Sequence, residues 1–102
     1  MSPFRPAAAT TSASASVTST AAAAITAPAS APPTYQVRVV NAGTVVVFVK
    51  FGTAGMGAAT SADTPVRGGE TEIFTVNSDM THQRVLAASN TATVYFTAGF
   101  GE

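Results

Sequence analysis

An all-β fold, a small antiparallel β-sandwich or barrel of roughly six to eight strands, is the architecture this sequence predicts. Three observations carry the prediction. β-Branched residues are dense while helical periodicity is weak throughout. Several short runs alternate apolar and polar residues with a period of two. Clusters of Gly, Asn, Ser and Asp separate those runs at the spacing of short strands. A chain of 102 residues has the length of one domain with a modest core.

Composition divides that chain into residues 1–34 and 35–102. Before Thr34, Ala, Ser, Thr and Pro dominate and Arg5 is the only charge. Such a stretch buries little against an ordering cost of about 1 to 2 kcal/mol per residue, which suits a flexible tail. Yet Ala13 to Thr18 alternate small apolar and hydroxyl side chains, and Ala23, Ile25 and Ala27 repeat the pattern before Pro28. The segment therefore reads either as edge strands of its own domain or as an extended arm lying on a neighbour.

From Tyr35 to Gly52 the sequence reads as a β-hairpin. Tyr35, Val37 and Val39 share one face, Gln36 and Arg38 the other. Asn41, Ala42 and Gly43 supply a turn, with Gly43 suited to positive φ. The next strand is apolar on both sides: Val45, Val47, Val49 and Phe51 on one face, Val46 and Phe48 with Lys50 on the other. A strand buried on both faces needs two things to pack against, and a domain this short has the material for one. The Val46 and Phe48 face is covered either by the chain's own amino-terminal strands or Gly-rich loop, or by another protein.

Residues 52–69 form a long glycine-rich loop with one short strand expected around Ala58 to Ser61. A strand from Glu70 to Val76 follows, then a turn at Asn77, Ser78 and Asp79. Two further strands are expected at Thr81 to Ala88 and Thr91 to Thr97, joined through Ser89 and Asn90.

Charge narrows the function. Charged residues make up 10% of the chain and the five basic and five acidic ones cancel, against about a quarter charged in typical soluble proteins. So little charge repulsion favours self-association or burial in a larger object. Arg5, Arg38, Lys50, Arg67 and Arg84 are scattered, which argues against nucleic acid as a partner. With no cysteine there is no disulfide and no thiolate metal site. No run approaches the ~20 apolar residues that cross a bilayer, and the amino terminus lacks a Leu-rich secretory core, so the expectation is a soluble, unsecreted protein with no membrane partner.

No constellation nominates a chemistry, and no catalytic, metal or cofactor residue is assigned. His82, the only histidine, could serve as base or ligand beside Asp79 or Asp63, but no nucleophile or orienting group accompanies it; a turn cap or strand-face position is the alternative. Glu70 and Glu72 would share a strand face, yet glycoside chemistry also demands a cleft and sugar-stacking aromatics, and Trp is absent. The glycines between Gly52 and Gly57 precede neither a helix nor a lysine, as a phosphate loop would. What remains is contact. The interface candidates are Val46, Phe48, Lys50 and Arg38, with Val17 and Ile25 in the amino-terminal segment.

The order of motifs, MSPFRPA, then VRVVNAGTVVVFVKFG, a Glu-x-Phe strand, a Thr-His turn and TATVYFTAGFGE, resembles a group of small tailed-phage and prophage proteins. The positions that carry the likeness are Arg38, Asn41, Gly43, Phe48, Phe51, Gly52, Glu72, Phe74, Thr81, His82, Tyr95, Gly99 and Gly101. Proteins of that group more often have small apolar residues where this chain has Gln83 and Arg84, which leaves open whether that strand faces the core or a neighbour. The resemblance implies a non-enzymatic virion component of the head-decoration or head-to-tail type, made in the bacterial cytoplasm. Its partners would be major capsid or head-to-tail proteins and copies of itself, and it would decorate or cement the particle through residues 1–34 and the doubly apolar strand. A carbohydrate- or host-surface-binding module is the alternative; its only aromatic platforms would be Tyr35 and Tyr95.

Overall fold

The structure is a computed structural model and describes residues 5–6, 10–18, 20, 22–25, 34–77 and 79–100. Among these residues the strand segments are β1 (Arg5–Pro6), β2 (Thr11–Ala15), β3 (Ala23–Ala24), β4 (Thr34–Asn41), β5 (Val47–Gly52), β6 (Thr64–Val66), β7 (Thr71–Asn77), β8 (His82–Ala87) and β9 (Ala92–Phe100). They build two antiparallel sheets. In the first, β1 and β2 lie end to end along one side of β9, followed by β4 and then β7. The second runs β3, β8, β5, β6. The expected all-β sandwich is thus the fold observed.

The register shows how the chain reaches it. Arg5 faces Phe100, Thr11 faces Phe96, Ala23 faces Gln83, Thr34 faces Asn77 and Val47 faces Val66. Each advance along the first half is matched by a retreat along the second, so the chain is one long hairpin folded about residues 53–63. Rolling that hairpin up brings β9 against β4 and β8 against β5. The result, two four-place sheets between which the chain keeps crossing, is a jelly roll.

This topology replaces the local hairpin expected between Tyr35 and Gly52. β4 and β5 do not pair; they are central strands of opposite sheets, β4 between β7 and β9, β5 between β6 and β8. Each turns its apolar face to the same core from opposite sides. Tyr35, Val37, Val39, Val76, Val94, Phe96 and Ala98 meet Val47, Val49, Val66, Val85 and Ala87, with Ala15 of β2 joining the cluster. Phe51 and Phe74 close one flank with ring centroids 5.3 Å apart and planes tilted by 56°. At about 1.5 to 3 kcal/mol per fully buried aliphatic or aromatic side chain, this layer is the main favourable contribution to folding.

The crossing from β4 to β5 is organised by Asn41, which is wholly buried. Its Nδ2 donates to Val45 O at 2.7 Å and to Val66 O at 3.0 Å, and its Oδ1 accepts from Gly43 N at 3.0 Å. The backbone joins in: Asn41 N donates to Glu70 O and Gly69 N donates to Asn41 O. One side chain so substitutes for the turn that a hairpin would have provided, and pins the end of the first sheet to β6 of the second.

Gly43 is needed there for space rather than for the positive φ the sequence suggested. A Cβ on it would stand 2.5 Å from Ala92 Cβ and 3.0 Å from Ala92 Cα. Among the described residues the glycine with positive φ is Gly69, at 78°, in the turn that leads from β6 to β7. The other left-handed position is Asn90, φ 54°, between β8 and β9, a residue type that tolerates it.

The short strand expected near Ala58 to Ser61 falls instead at Thr64–Val66. Val66 supplies the anchor, being wholly buried, and Pro65 is tolerated because β6 stands at a sheet edge. Ala59 is buried all the same, so the apex loop is pressed onto the body rather than projecting. The strand expected from Glu70 begins at Thr71, and Met80 N donating to Asn77 O closes the turn after it; Ser78 lies outside the described residues, as do Ala27, Pro28 and Gly101.

Candidate assembly surfaces

The outer face of the second sheet carries the residues that the doubly apolar strand singled out. Phe48 lies opposite Leu86 on β8 and Pro65 on β6, and Val46 precedes β5 with its carbonyl accepting from Ala88 N at 2.9 Å. Val46, Phe48 and Leu86 are half-buried and Pro65 is exposed. Next along the same face Lys50 stands directly opposite Arg84. Like charges at cross-strand positions repel, and the chain answers by drawing the guanidinium aside. Arg84 Nε donates to Thr20 O at 2.7 Å and Arg84 Nη1 donates to Met56 O at 3.0 Å. One arginine thereby clamps the amino-terminal segment and the apex loop at the Lys50 end of the sheet.

The outer face of the first sheet carries a second patch. Ile73 on β7 is 51% exposed and Tyr95 on β9 is 40% exposed. Between them on β4 stand Arg38, opposite Ile73, and Val40, opposite Tyr95; both are half-buried. Tyrosine and arginine are residue types enriched at contact hot spots, and here they flank an exposed isoleucine and a half-buried valine. Ile73 was not singled out in the sequence, although its place among Thr71, Thr75 and Asn77 on the polar face of TEIFTVN was the available signal. Val17, in the passage from β2 to β3, is 63% exposed beside a turn in which Thr18 N donates to Ser16 Oγ. Ile25 packs partly against the core, with its N–H donating to Thr81 O at 2.9 Å.

Edges complete the picture. Among the described residues β7 pairs only on its β4 side and β6 only on its β5 side. At the opposite edges stand β1 with β2, and β3, all from the amino-terminal segment.

The residues with chemical potential are dispersed. His82 opens β8 with its Nδ1 2.8 Å from Thr81 Oγ1. Asp63 Oδ2 accepts from Thr60 N at 2.7 Å and Glu70 Oε1 from Arg67 N at 3.2 Å, so both acids cap local turns. Glu72 is exposed on β7, one strand away from Arg38 and facing the opposite side of the sheet. Among the described residues no three of His, Asp and Glu are grouped to hold a metal ion, and no helix is long and apolar enough to cross a membrane. Tyr35, one of the two candidate sugar platforms, is buried in the core, and that burial pushes its phenol above its ordinary pKa. Gln83, on the strand whose facing was open, points into the core at 3% exposure, whereas Arg84 points outward.

No protein-family model matches the chain, and no curated protein matches it. A solved structure does: a chain from the work titled "Bacillus endospore appendages form a novel family of disulfide-linked pili" superimposes with a TM-score of 0.55, covering 99% of this chain and 90% of that one at 20% identity. The shared property is the fold.

Proposed function

We propose that this chain is a non-enzymatic structural subunit that works by contact between copies, and that its setting is a bacteriophage particle, where it decorates or cements the capsid or the head-to-tail region. The observation that carries this reading is the presence of apolar side chains on the outer faces of both sheets, Val46, Phe48 and Leu86 on one and Ile73 with Tyr95 on the other, in a chain with 10% charged residues. A sandwich needs only its two inner faces apolar to fold. Two outer patches on different sheets suit a heterologous contact, in which one surface meets the other on the next copy and the arrangement repeats. A pilus, the object named for the chain of similar fold, is such a repeat. Phage structural proteins supply the motif resemblance, and jelly rolls are common in capsids.

Phe48→Asp and Ile73→Lys test it. Each is expected to abolish large species in light scattering and negative-stain images of the concentrated protein, with circular dichroism unchanged. Mass spectrometry of particles released on prophage induction of the encoding strain should find the chain in many copies. A wild-type protein that stays monomeric at millimolar concentration and is missing from those particles ends the proposal. The sugar-binding alternative is left with Tyr95 as its one exposed aromatic platform, since Tyr35 is in the core.

A further inference from the structure

We propose that residues 10–25 exchange between copies: the strip of β8 and β9 that they cover in their own chain is a docking site for the same segment of a neighbour. The inference rests on the structural-subunit reading and names the partner, a second copy of this chain, and the surface.

The segment runs down one side of the sandwich and touches both sheets. β2 pairs with β9 from Thr11 opposite Phe96 to Ala15 opposite Ala92. The chain then crosses to the second sheet, where Ala87 N donates to Ser16 O at 2.8 Å, Thr20 N donates to Val85 O at 3.0 Å, and Val85 N donates to Thr20 Oγ1 at 3.0 Å. β3 continues along β8, Ala23 opposite Gln83 and Ala24 opposite His82. Side-chain anchors are local to that strip: Ala15 in the core with Ala13 and Ile25 packed partly against it, Thr10 Oγ1 2.7 Å from Thr97 Oγ1, and Thr20 O under Arg84. Recognition is therefore mostly backbone pairing along an edge, which asks of the incoming strand only small size and β tolerance. A second copy offers that strand with every anchor in register, so exchange keeps each contact and needs no new complementarity.

The tether makes exchange reachable. Ile25 N donates to Thr81 O, and Thr34 stands opposite Asn77. Asn77 and Thr81 are joined by the single turn that Met80 N closes onto Asn77 O, so the two ends of the tether lie at one end of the sandwich. Sheets about 10 Å apart put those ends roughly 10 to 15 Å from each other. The eight residues 26–33 join them, and a chain of that length reaches about 30 Å when extended. Those ends stand within about half of that reach, so the strip of an adjoining copy is accessible to the same tether wherever it begins within about 30 Å of Thr34.

The absence of cysteine gives a clean background for the test. Ser14 and Thr93 face each other across β2 and β9 and both are exposed. Chains carrying only Ser14→Cys and, with a different mass tag, only Thr93→Cys are co-assembled and oxidised. Exchange predicts disulfide-linked heterodimers severalfold above a control that pairs Ser14→Cys with Gly55→Cys in the apex loop. In the double variant Ser14→Cys/Thr93→Cys, oxidation of the monomer locks the segment onto its own body; assembly is expected to be lost and to return on reduction. If the locked chain assembles as well as the reduced one, and mixed heterodimers stay at the control level, exchange is overturned while the subunit reading stands. If the reduced chain fails to assemble as well, both fall.

Discussion

Asn41 does at residue scale what a turn does elsewhere, and its replacement should be costly. Asn41→Ala removes three hydrogen bonds and leaves the carbonyls of Val45 and Val66 and the amide of Gly43 without their partner. At roughly 1 kcal/mol for each bond the loss is about 3 kcal/mol, which a thermal melt should show as a midpoint about 15 °C lower. Gly43 and Gly55 form a matched pair for a second measurement. Gly43→Ala forces a Cβ against Ala92 and should cost about 1 to 3 kcal/mol in urea unfolding, whereas a Cβ on Gly55 meets nothing within 4 Å and Gly55→Ala should leave the midpoint where it is. Tyr35 gives a pH signature. Its phenol is raised from an ordinary 10.0 by burial, so above that pH the unfolded chain releases a proton that the folded chain retains. The linkage sign is then negative: stability is fully present below pH 10 and declines as pH rises toward the folded value. Tyr35→Phe should flatten that alkaline decline in melts recorded from pH 8 to 11.

Strands were more legible than their partners. The alternation in TYQVRVVN puts Tyr35, Val37 and Val39 on one face and Gln36 and Arg38 on the other, and the first of these is the buried face. The alternation of the next strand puts Val47 and Val49 on one face, and that face too is the buried one. What a period of two cannot state is which strand lies alongside. A tight hairpin and a crossing to the opposite sheet place the same residues inward, and here the choice falls to Asn41 reaching Val66 and to Gly43 abutting Ala92, contacts between residues far apart in the chain. The same limit applies to the surfaces: Val46 and Phe48 could be read from the doubled apolar face, but the adjacency of Ile73, Arg38, Val40 and Tyr95 exists only once β7, β4 and β9 lie side by side. At this scale the amino-terminal strands make a further prediction. Removing residues 2–30 strips β9 and β8 of their edge partners, so the truncated chain should elute as aggregates in size-exclusion chromatography. A synthetic peptide of residues 10–25 added during refolding should return it to a discrete species; a truncated chain that is monomeric without peptide would show that those strands are dispensable to the body.

For the molecule as a whole, the pairing of the first strands with the last gives a sheet built from distant parts. Proteins dominated by such pairings fold in milliseconds to seconds, and stopped-flow refolding should place this one there rather than in the microsecond range. The sequentially closest pairing is β5 with β6 across the apex loop, from Val47 opposite Val66 to Val49 opposite Thr64. Loop-closure entropy favours pairings of that kind first, with β4 and β7, then β3 and β8, and finally β2 and β9 joining as the ends draw together. During synthesis this order has a temporal side. Residues 10–25 leave the ribosome early, yet β9, which they must pair with, is translated after every other strand. At elongation rates of about 5 to 20 residues per second the first segment waits several seconds without its partner. Neighbouring ribosomes on one message carry chains at successive stages of that wait, so a segment still without its own β9 is made close to other copies of the same segment.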